Sequence, residues 1–460
     1  MAQEPIKSIQ GTEDLLPDQW GPWRTLYETA RRLFERYGYG EICTPIFEDT
    51  RLFVKGTGET TDIVEKEMYT IRGLTPSEFA TALLDDRVGA AEVADVAEKG
   101  TTRGITLRPE GTPGVIRSYL EHNLHKQDAF QKLYYIGPMF RHERPQKGRL
   151  RQFHQLGVEA IGSDSPLLDA ETIILAVQVF REIGLRRFEV SVNSMGCRKC
   201  RPGIRSALRE RLSGRVGELC GDCHRRLERN VFRVLDCKKE PCRAVTAGLP
   251  PVPDMLCADC RTHYEQVKAA LRGARVEFAE APHLVRGLDY YTRTVFEIRH
   301  SGLGARNEIC GGGRYDDLVE LLGGPSIPCV GFAMGAEATI LAMESEQVAV
   351  PDAALRPDVY VVSFTEQAQA ECFALLQELR GAGVAADMDF EGRSPKAQMR
   401  AAGKLGVRVC LLIGPDELAR GEVTFRDMAD GRQRAVPCAS AARELQSFLK
   451  SAGPREQGQS

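Results

Sequence analysis

The residues with the most obvious chemical potential lie between Arg141 and Arg151. Five cations (Arg141, Arg144, Lys147, Arg149 and Arg151) share this stretch with a single acid, Glu143. Pro145 and Gly148 favour a loop, and apolar residues such as Tyr135 and Leu156 flank it with strand character. Guanidinium forks bind phosphate oxygens in pairs, so a basic strand–loop–strand suits a polyphosphate. A solvated charged loop is the other reading of the same residues. A second group is the cysteines. Of fourteen, eight fall between Cys197 and Cys260, as Cys197/Cys200, Cys220/Cys223, Cys237/Cys242 and Cys257/Cys260. In a reducing compartment such pairs point to metal rather than disulfides. The first two pairs stand 19 residues apart, within the range of a four-cysteine zinc site, which predicts Cys197, Cys200, Cys220 and Cys223 as ligands. Reduced thiols packed as small hydrophobes are the alternative.

The elements that must position these groups follow from periodicity. Residues 17–37 read as an amphipathic helix, with Trp23, Leu26, Tyr27, Ala30, Leu33, Phe34 and Tyr37 at helical spacing and Gly38 as a stop. GYGEICTPIFEDT reads as a strand and a proline turn. Residues 71–103 look inserted, with a capping box at Thr75–Glu78. Residues 172–185 read as a helix, RRFEVSVNSMG and HLVRGLDYYTRTVFEIRH as strands, and a helix begins near Gly335. A Pro/Ala linker at 350–357 precedes a fresh strand–helix alternation of separate-domain size.

The bulk composition narrows the function. At 460 residues the chain exceeds one compact core, and its net charge of −3 gives no global basic surface, so any nucleic-acid contact must be local. Residues 197–243 hold fourteen Lys and Arg against six Asp and Glu, a local +8 that suits nucleic-acid phosphates. The polar N-terminus and the lack of any run near ~18 apolar residues predict a cytoplasmic protein with no membrane segment.

FRHERPQKGRLRQFHQLGVE resembles motif 2 of the class II aminoacyl-tRNA synthetases, in the form found in the histidyl-tRNA synthetase family. YGYGEICTPIFEDT is similar to motif 1, whose proline, here Pro45, lies at the family's dimer interface. TLRPEGT (106–112) and LVRGLDYYTRTVFE (284–297) resemble the family's histidine-specific segments, and CGGGRYDDLVELLGG (310–324) also fits. The resemblance runs from about residue 5 to 440. It implies an α+β fold: an antiparallel-sheet catalytic domain over 1–349, interrupted at 71–103 and by a Cys-rich basic insertion at 197–262, then an α/β anticodon-binding domain at 357–447. It further implies a homodimer that uses ATP and Mg2+ to form histidyl-adenylate and passes histidine to the 3' end of a tRNA.

Site roles come with the resemblance, residue by residue. Residues matching Glu110, Thr112 and Gln155 hold the substrate ammonium, with Gly111 between the first two. Those matching Glu159 and Tyr291 read the imidazole, and Tyr290 walls the pocket. Arg141 and Arg286 match the arginines that grip the substrate carboxylate and α-phosphate and serve catalysis. Glu143, Arg149 and Phe153 match contacts to the adenine amino group, the γ-phosphate and the adenine ring. Lys396, Arg400 and Lys404, at four-residue spacing, would share one helix face of the anticodon-binding domain. One departure stands out: where the family carries a motif 3 arginine against ATP, this chain has Ala338. Three functions compete on these grounds. They are a working ligase, a non-catalytic paralogue that senses histidine or regulates its biosynthesis, and a zinc-ribbon nucleic-acid binder. LVRGLDYY together with the C-terminal region favours the first.

Overall fold

The computed structural model describes residues 6–58, 61–71, 104–146, 148–304, 307–350 and 356–451. The expected excursion at 71–103 with its capping box, and Lys147, lie outside the described residues apart from Ile71 at its edge. The chain divides into two compact units, Met1–Pro351 and Asp352–Ser460.

The first unit is built on eight strands in the order β1-β5-β6-β11-β10-β9-β7-β8. They are β1 (Gly40–Glu41), β5 (Gln131–Phe140), β6 (Gln152–Ile161), β7 (Phe188–Ser194), β8 (Ala279–Glu280), β9 (Thr292–His300), β10 (Glu308–Arg314) and β11 (Cys329–Gly335). All neighbours are antiparallel except β1 with β5 and β7 with β8. Strands β2 (Phe47–Asp49), β3 (Thr70–Ile71) and β4 (Ile105–Leu107) form a separate small sheet.

Successive side chains of a strand point to opposite faces, and this alternation separates core from site. On β6, Leu156, Val158 and Ala160 enter the main core; Phe153, Gln155 and Glu159 point the other way. On β9, Phe296 and Ile298 join the core, whereas Glu297 and Arg299 line the opposite face. On β11, Val330, Phe332 and Met334 are core, and Gly331, Ala333 and Gly335 alternate with them. The helix Trp20–Arg36 buries Trp23, Leu26, Ala30, Leu33 and Phe34 against the core face, the stripe its spacing predicts. The helix Pro166–Glu182 covers the same face. It begins six residues before the expected 172, because Ser165 caps it by accepting from the Leu167 N–H (3.3 Å) and Pro166 occupies the first turn. Arg314, at the end of β10, is fully buried and donates to Asp169 of this helix, so the sheet and its cover are tied by a charged pair.

Two strand expectations shrink. Residues 284–291 form a loop ahead of β9 rather than part of it, and only Gly40–Glu41 and Phe47–Asp49 of the motif 1 segment are extended. Between β7 and β8 the Cys-rich insertion folds as short helices, among them Arg201–Ser213, Gly221–Arg229, Phe232–Leu235 and Glu240–Ala247, before the return helix Ala258–Gly273.

The second unit is a five-stranded sheet, β13-β12-β14-β15-β16. Strands β12 (Val359–Ser363), β13 (Ala386–Met388) and β14 (Val409–Ile413) are parallel; β15 (Glu422–Asp427) and β16 (Gln433–Pro437) are antiparallel additions. Helices Gln369–Gly381 and Cys438–Ser451 pack into one core with β12 and β14. Lys396, Arg400 and Lys404 are all exposed on the helix Pro395–Leu405. Among the described residues no helix is long and apolar enough to cross a membrane.

Candidate active site

The non-core face of β6, β11, β10 and β9 forms the floor of a cleft of about 1470 Å³. That is room for more than one small molecule. Glu110, Thr112, Arg141, Glu143, Arg149, Phe153, Gln155, Arg286, Tyr290 and Tyr291 all line it. Residues as far apart in the chain as Glu110 and Tyr291 therefore meet at one site because alternate positions of neighbouring strands share a face. Of the residues expected there, Gly111 and Glu159 are not on the wall itself.

Glu110 and Glu159 are both buried. The Tyr290 hydroxyl donates to Glu110 Oε2 (3.0 Å), while Glu110 Oε1 has no partner among the described residues. Burial lifts the Glu110 carboxyl to about 7, against the pull of Arg141, the Tyr290 hydroxyl and Arg286. Glu159 sits just behind the wall. It accepts from Thr112 Oγ1 (2.7 Å) and from the Tyr315 hydroxyl, both of which belong to cleft-lining residues. Burial lifts it further, to about 8; the two hydroxyls oppose the shift and the neighbouring Glu110 charge adds to it. Gly331 lies opposite Glu159 in the β6–β11 register. A Cβ there would stand 2.1 Å from Glu159 Oε2, so only glycine leaves the carboxylate its place. Tyr290 packs between Tyr291 (centroids 4.7 Å apart, rings tilted by 50°) and Tyr315 (5.6 Å, edge-on at 67°).

Arg286 reaches the floor from the loop before β9. Its guanidinium lies across Gly311 of β10, where a Cβ would come within 2.1 Å. Nη1 contacts Glu308 (2.5 Å) and Glu297 (3.6 Å). Burial works against its charge, but Glu308, Tyr291 and Glu297 outweigh burial and hold it protonated above the usual arginine range. Its Nε is buried and has no partner among the described residues. Arg141 is fixed from both sides: Nε donates to the Pro109 carbonyl (2.9 Å) and the guanidinium stacks on Phe153, 5.1 Å from the ring centroid. Arg149 pairs with Glu143. Glu337 accepts from the His154 N–H (2.9 Å) and ring Nδ1 (2.9 Å), which ties the helix Ala336–Ser345 to β6. Ala338 follows on the cleft wall, and that helix carries no Lys or Arg.

The insertion corrects one expectation. Cys197, Cys200, Cys220 and Cys223 do not form one site. Cys197 and Cys200 converge with Cys257 and Cys260; Cys220 and Cys223 converge with Cys237 and Cys242. The reason is topological. Strands β7 and β8 are parallel neighbours, so the chain must cross back along the sheet to enter β8. The helix Ala258–Gly273 makes that crossing and starts at the end where β7 leaves, which brings Cys257 and Cys260 to Cys197 and Cys200. Sequence reasoning also missed Tyr315, hidden in the glycine-rich CGGGRYDDL run, and Arg233, one cation among fourteen. Arg233 is buried and donates to the Gly287 carbonyl (2.5 Å) and Asp62 (2.6 Å).

A mostly antiparallel sheet with motif 2 arginines on its open face, a glycine floor and a separate C-terminal α/β unit defines a class II aminoacyl-tRNA synthetase. The histidyl-tRNA synthetase family model matches residues 77–339, and an anticodon binding domain model matches 358–448. The chain belongs to the histidyl-tRNA synthetase family. It is 45% identical over 431 residues to the histidine–tRNA ligase of Syntrophotalea carbinolica (94% of this chain, 96% of the relative). It is 44% identical over 441 residues to that of Desulforamulus reducens (96% and 98%). The crystal structure of apo S. aureus histidyl-tRNA synthetase matches with a TM-score of 0.76 at 34% identity, over 96% of this chain and 100% of that one.

Proposed function

We propose that this chain is a histidine–tRNA ligase: it joins histidine to AMP at the expense of ATP, then transfers histidine to the 3' end of its tRNA. One observation carries the assignment of the site: Glu110 Oε1, Gln155 Oε1 and Arg286 Nε are buried on a single cleft without partners among the described residues. Two acceptors and a guanidinium edge are what a histidine ammonium and carboxylate need. The Thr112 hydroxyl spends its proton on Glu159, so its lone pairs are free to accept from the ammonium. Tyr290 and Tyr291 wall the imidazole, with Glu159 behind them ordering Thr112 and Tyr315.

Arg141 and Arg286 would hold the carboxylate and α-phosphate in line. The carboxylate oxygen forms the new bond to phosphorus, pyrophosphate leaves, and fixed guanidiniums stabilise the equatorial charge without reorganising. Phe153 would stack on adenine, and Glu143 and Arg149 would meet the adenine amino group and γ-phosphate. Glu297 and Glu308, neighbours on the cleft wall, offer the carboxylate oxygens that Mg2+ prefers, and the ion would neutralise phosphate charge. The cysteine quartets offer a structural Zn2+ site.

Exposed Ile46 and Phe47, beside Pro45, support a homodimer through the motif 1 segment. The exposed Lys396, Arg400 and Lys404 support tRNA contact by the C-terminal domain, and the chain is assigned to the cytoplasm. The histidine-sensing or regulatory alternative lacks support from the ligase relatives. Charging of a histidine tRNA transcript with labelled histidine tests the reading. Histidine-specific, ATP-dependent acylation is expected; its absence in the purified, histidine-binding protein would overturn it.

A further inference from the structure

We propose that the insertion binds two zinc ions, one per cysteine quartet, and that the second fixes the loop carrying Arg286, Tyr290 and Tyr291. The proposal rests on the active-site reading above only in its second half.

Within each quartet one sulfur from every cysteine lies within 4.8 Å of all the others. The individual separations are Cys197–Cys200 4.0 Å, Cys197–Cys257 3.9 Å, Cys200–Cys260 3.9 Å and Cys220–Cys237 3.9 Å. A tetrahedron of thiolates at Zn–S bonds of about 2.3 Å has edges of about 3.8 Å. Disulfides would require about 2.05 Å, and all eight cysteines are free. The surroundings favour thiolates over packed thiols. The Cys197 N–H points at Cys200 Sγ (3.3 Å) and the Cys220 N–H at Cys242 Sγ (3.2 Å). Cys200, Cys220 and Cys257 each stand at the N-cap of a helix, where the macrodipole stabilises negative charge. Four thiolates in tetrahedral array select zinc over harder cations.

The two sites do different work. Cys197, Cys200, Cys257 and Cys260 close the neck of the insertion. Cys220, Cys223, Cys237 and Cys242 bracket the segment 224–236, whose side chains grip the catalytic unit. Arg233 donates to the Gly287 carbonyl (2.5 Å), and Asn230 donates to Asp289 (2.6 Å). Arg226 and Arg233 both reach Asp62, at 3.3 and 2.6 Å. Gly287 and Asp289 lie between Arg286 and Tyr290. A metal that holds segment 224–236 therefore holds the substrate loop, and Arg233 is its positioning residue.

The test uses the full chain purified without chelator. Mass spectrometry of bound metal is expected to give two zinc per chain, and cobalt exchange is expected to give thiolate charge-transfer absorption that saturates at two equivalents. Cys237→Ser with Cys242→Ser should leave one zinc and raise the KM for histidine in pyrophosphate exchange by about tenfold or more, with a smaller rise in the KM for ATP, which Arg141, Arg149 and Phe153 also hold. Arg233→Met should keep both ions and reproduce that rise. Under about a tenth of an equivalent of zinc with no cobalt–thiolate band, or iron in place of zinc, overturns the metal assignment; these measurements need only the wild-type protein. An unmoved histidine KM in Arg233→Met overturns the positioning role. Exchange by a zinc-free wild type would sink this proposal and leave the ligase reading intact, whereas two zinc ions without exchange would sink the ligase reading and the positioning role with it and leave the metal assignment standing.

Discussion

Tyr290 donates its hydroxyl to Glu110 at 3.0 Å, so the two histidine-specific segments meet through one hydrogen bond, and that bond leaves a single oxygen of a buried carboxylate free to face the cleft. Burial holds Glu110 at about 7, and an ammonium binds only its ionised form. Histidine binding should therefore release protons near neutrality, with affinity weakening as pH falls through about 7. Calorimetry in buffers of different ionisation enthalpy will detect the proton. Glu110→Gln should abolish the linkage and lower affinity; a linkage unchanged in that variant would remove Glu110 from the ammonium.

Arg286→Ala should lose pyrophosphate exchange by roughly a hundredfold or more, about 3 kcal/mol of transition-state stabilisation, while retaining the fold by circular dichroism. Glu297 and Glu308 would then face each other without their shared cation. Near-normal exchange would take Arg286 out of the site.

Glu159→Gln replaces a carboxylate that accepts from Thr112 and Tyr315 with an amide that has one acceptor oxygen. One hydroxyl loses its partner at a cost of about 1–3 kcal/mol. The KM for histidine should rise by roughly five- to a hundredfold, and that for ATP should stay nearly constant. Equal losses for both substrates would show that Glu159 supports the cleft generally rather than the amino-acid pocket.

Much of this site was legible because its residues sit in contiguous segments. Arg141, Arg149 and Phe153 share one strand–loop–strand, and Glu110 and Thr112 share RPEGT. What escaped depends on pairing across the sheet. Tyr315 follows a glycine run that carries no side-chain pattern to place it, and the β10–β11 fold-back brings it to Glu159. Arg233 looks like any surface cation until the insertion folds onto Gly287. The cysteine partners were misassigned because nearness along the chain is a poor guide when the crossover helix Ala258–Gly273 starts beside the end of β7 and so sets the last pair against the first. The +8 of residues 197–243 likewise overstates the surface available to tRNA: Arg226 and Arg233 reach Asp62, and Arg229 pairs with Glu65.

Ala338 leaves the helix Ala336–Ser345 without a cation toward the nucleotide. Arg141, Arg149 and Arg286 still match much of the triphosphate charge, so the wild type should be active with a high ATP requirement. Ala338→Arg should lower the KM for ATP in exchange and leave that for histidine unchanged. An ATP KM that does not fall would show that the charge is already supplied by another group.

The central claim is that this cleft activates histidine, and ATP–pyrophosphate exchange with the wild-type protein measures that step alone, without tRNA. The prediction is exchange that requires both histidine and Mg2+ and is not supported by the other amino acids at comparable concentration. Histidine binding with no exchange at saturating ATP and Mg2+ would contradict the account.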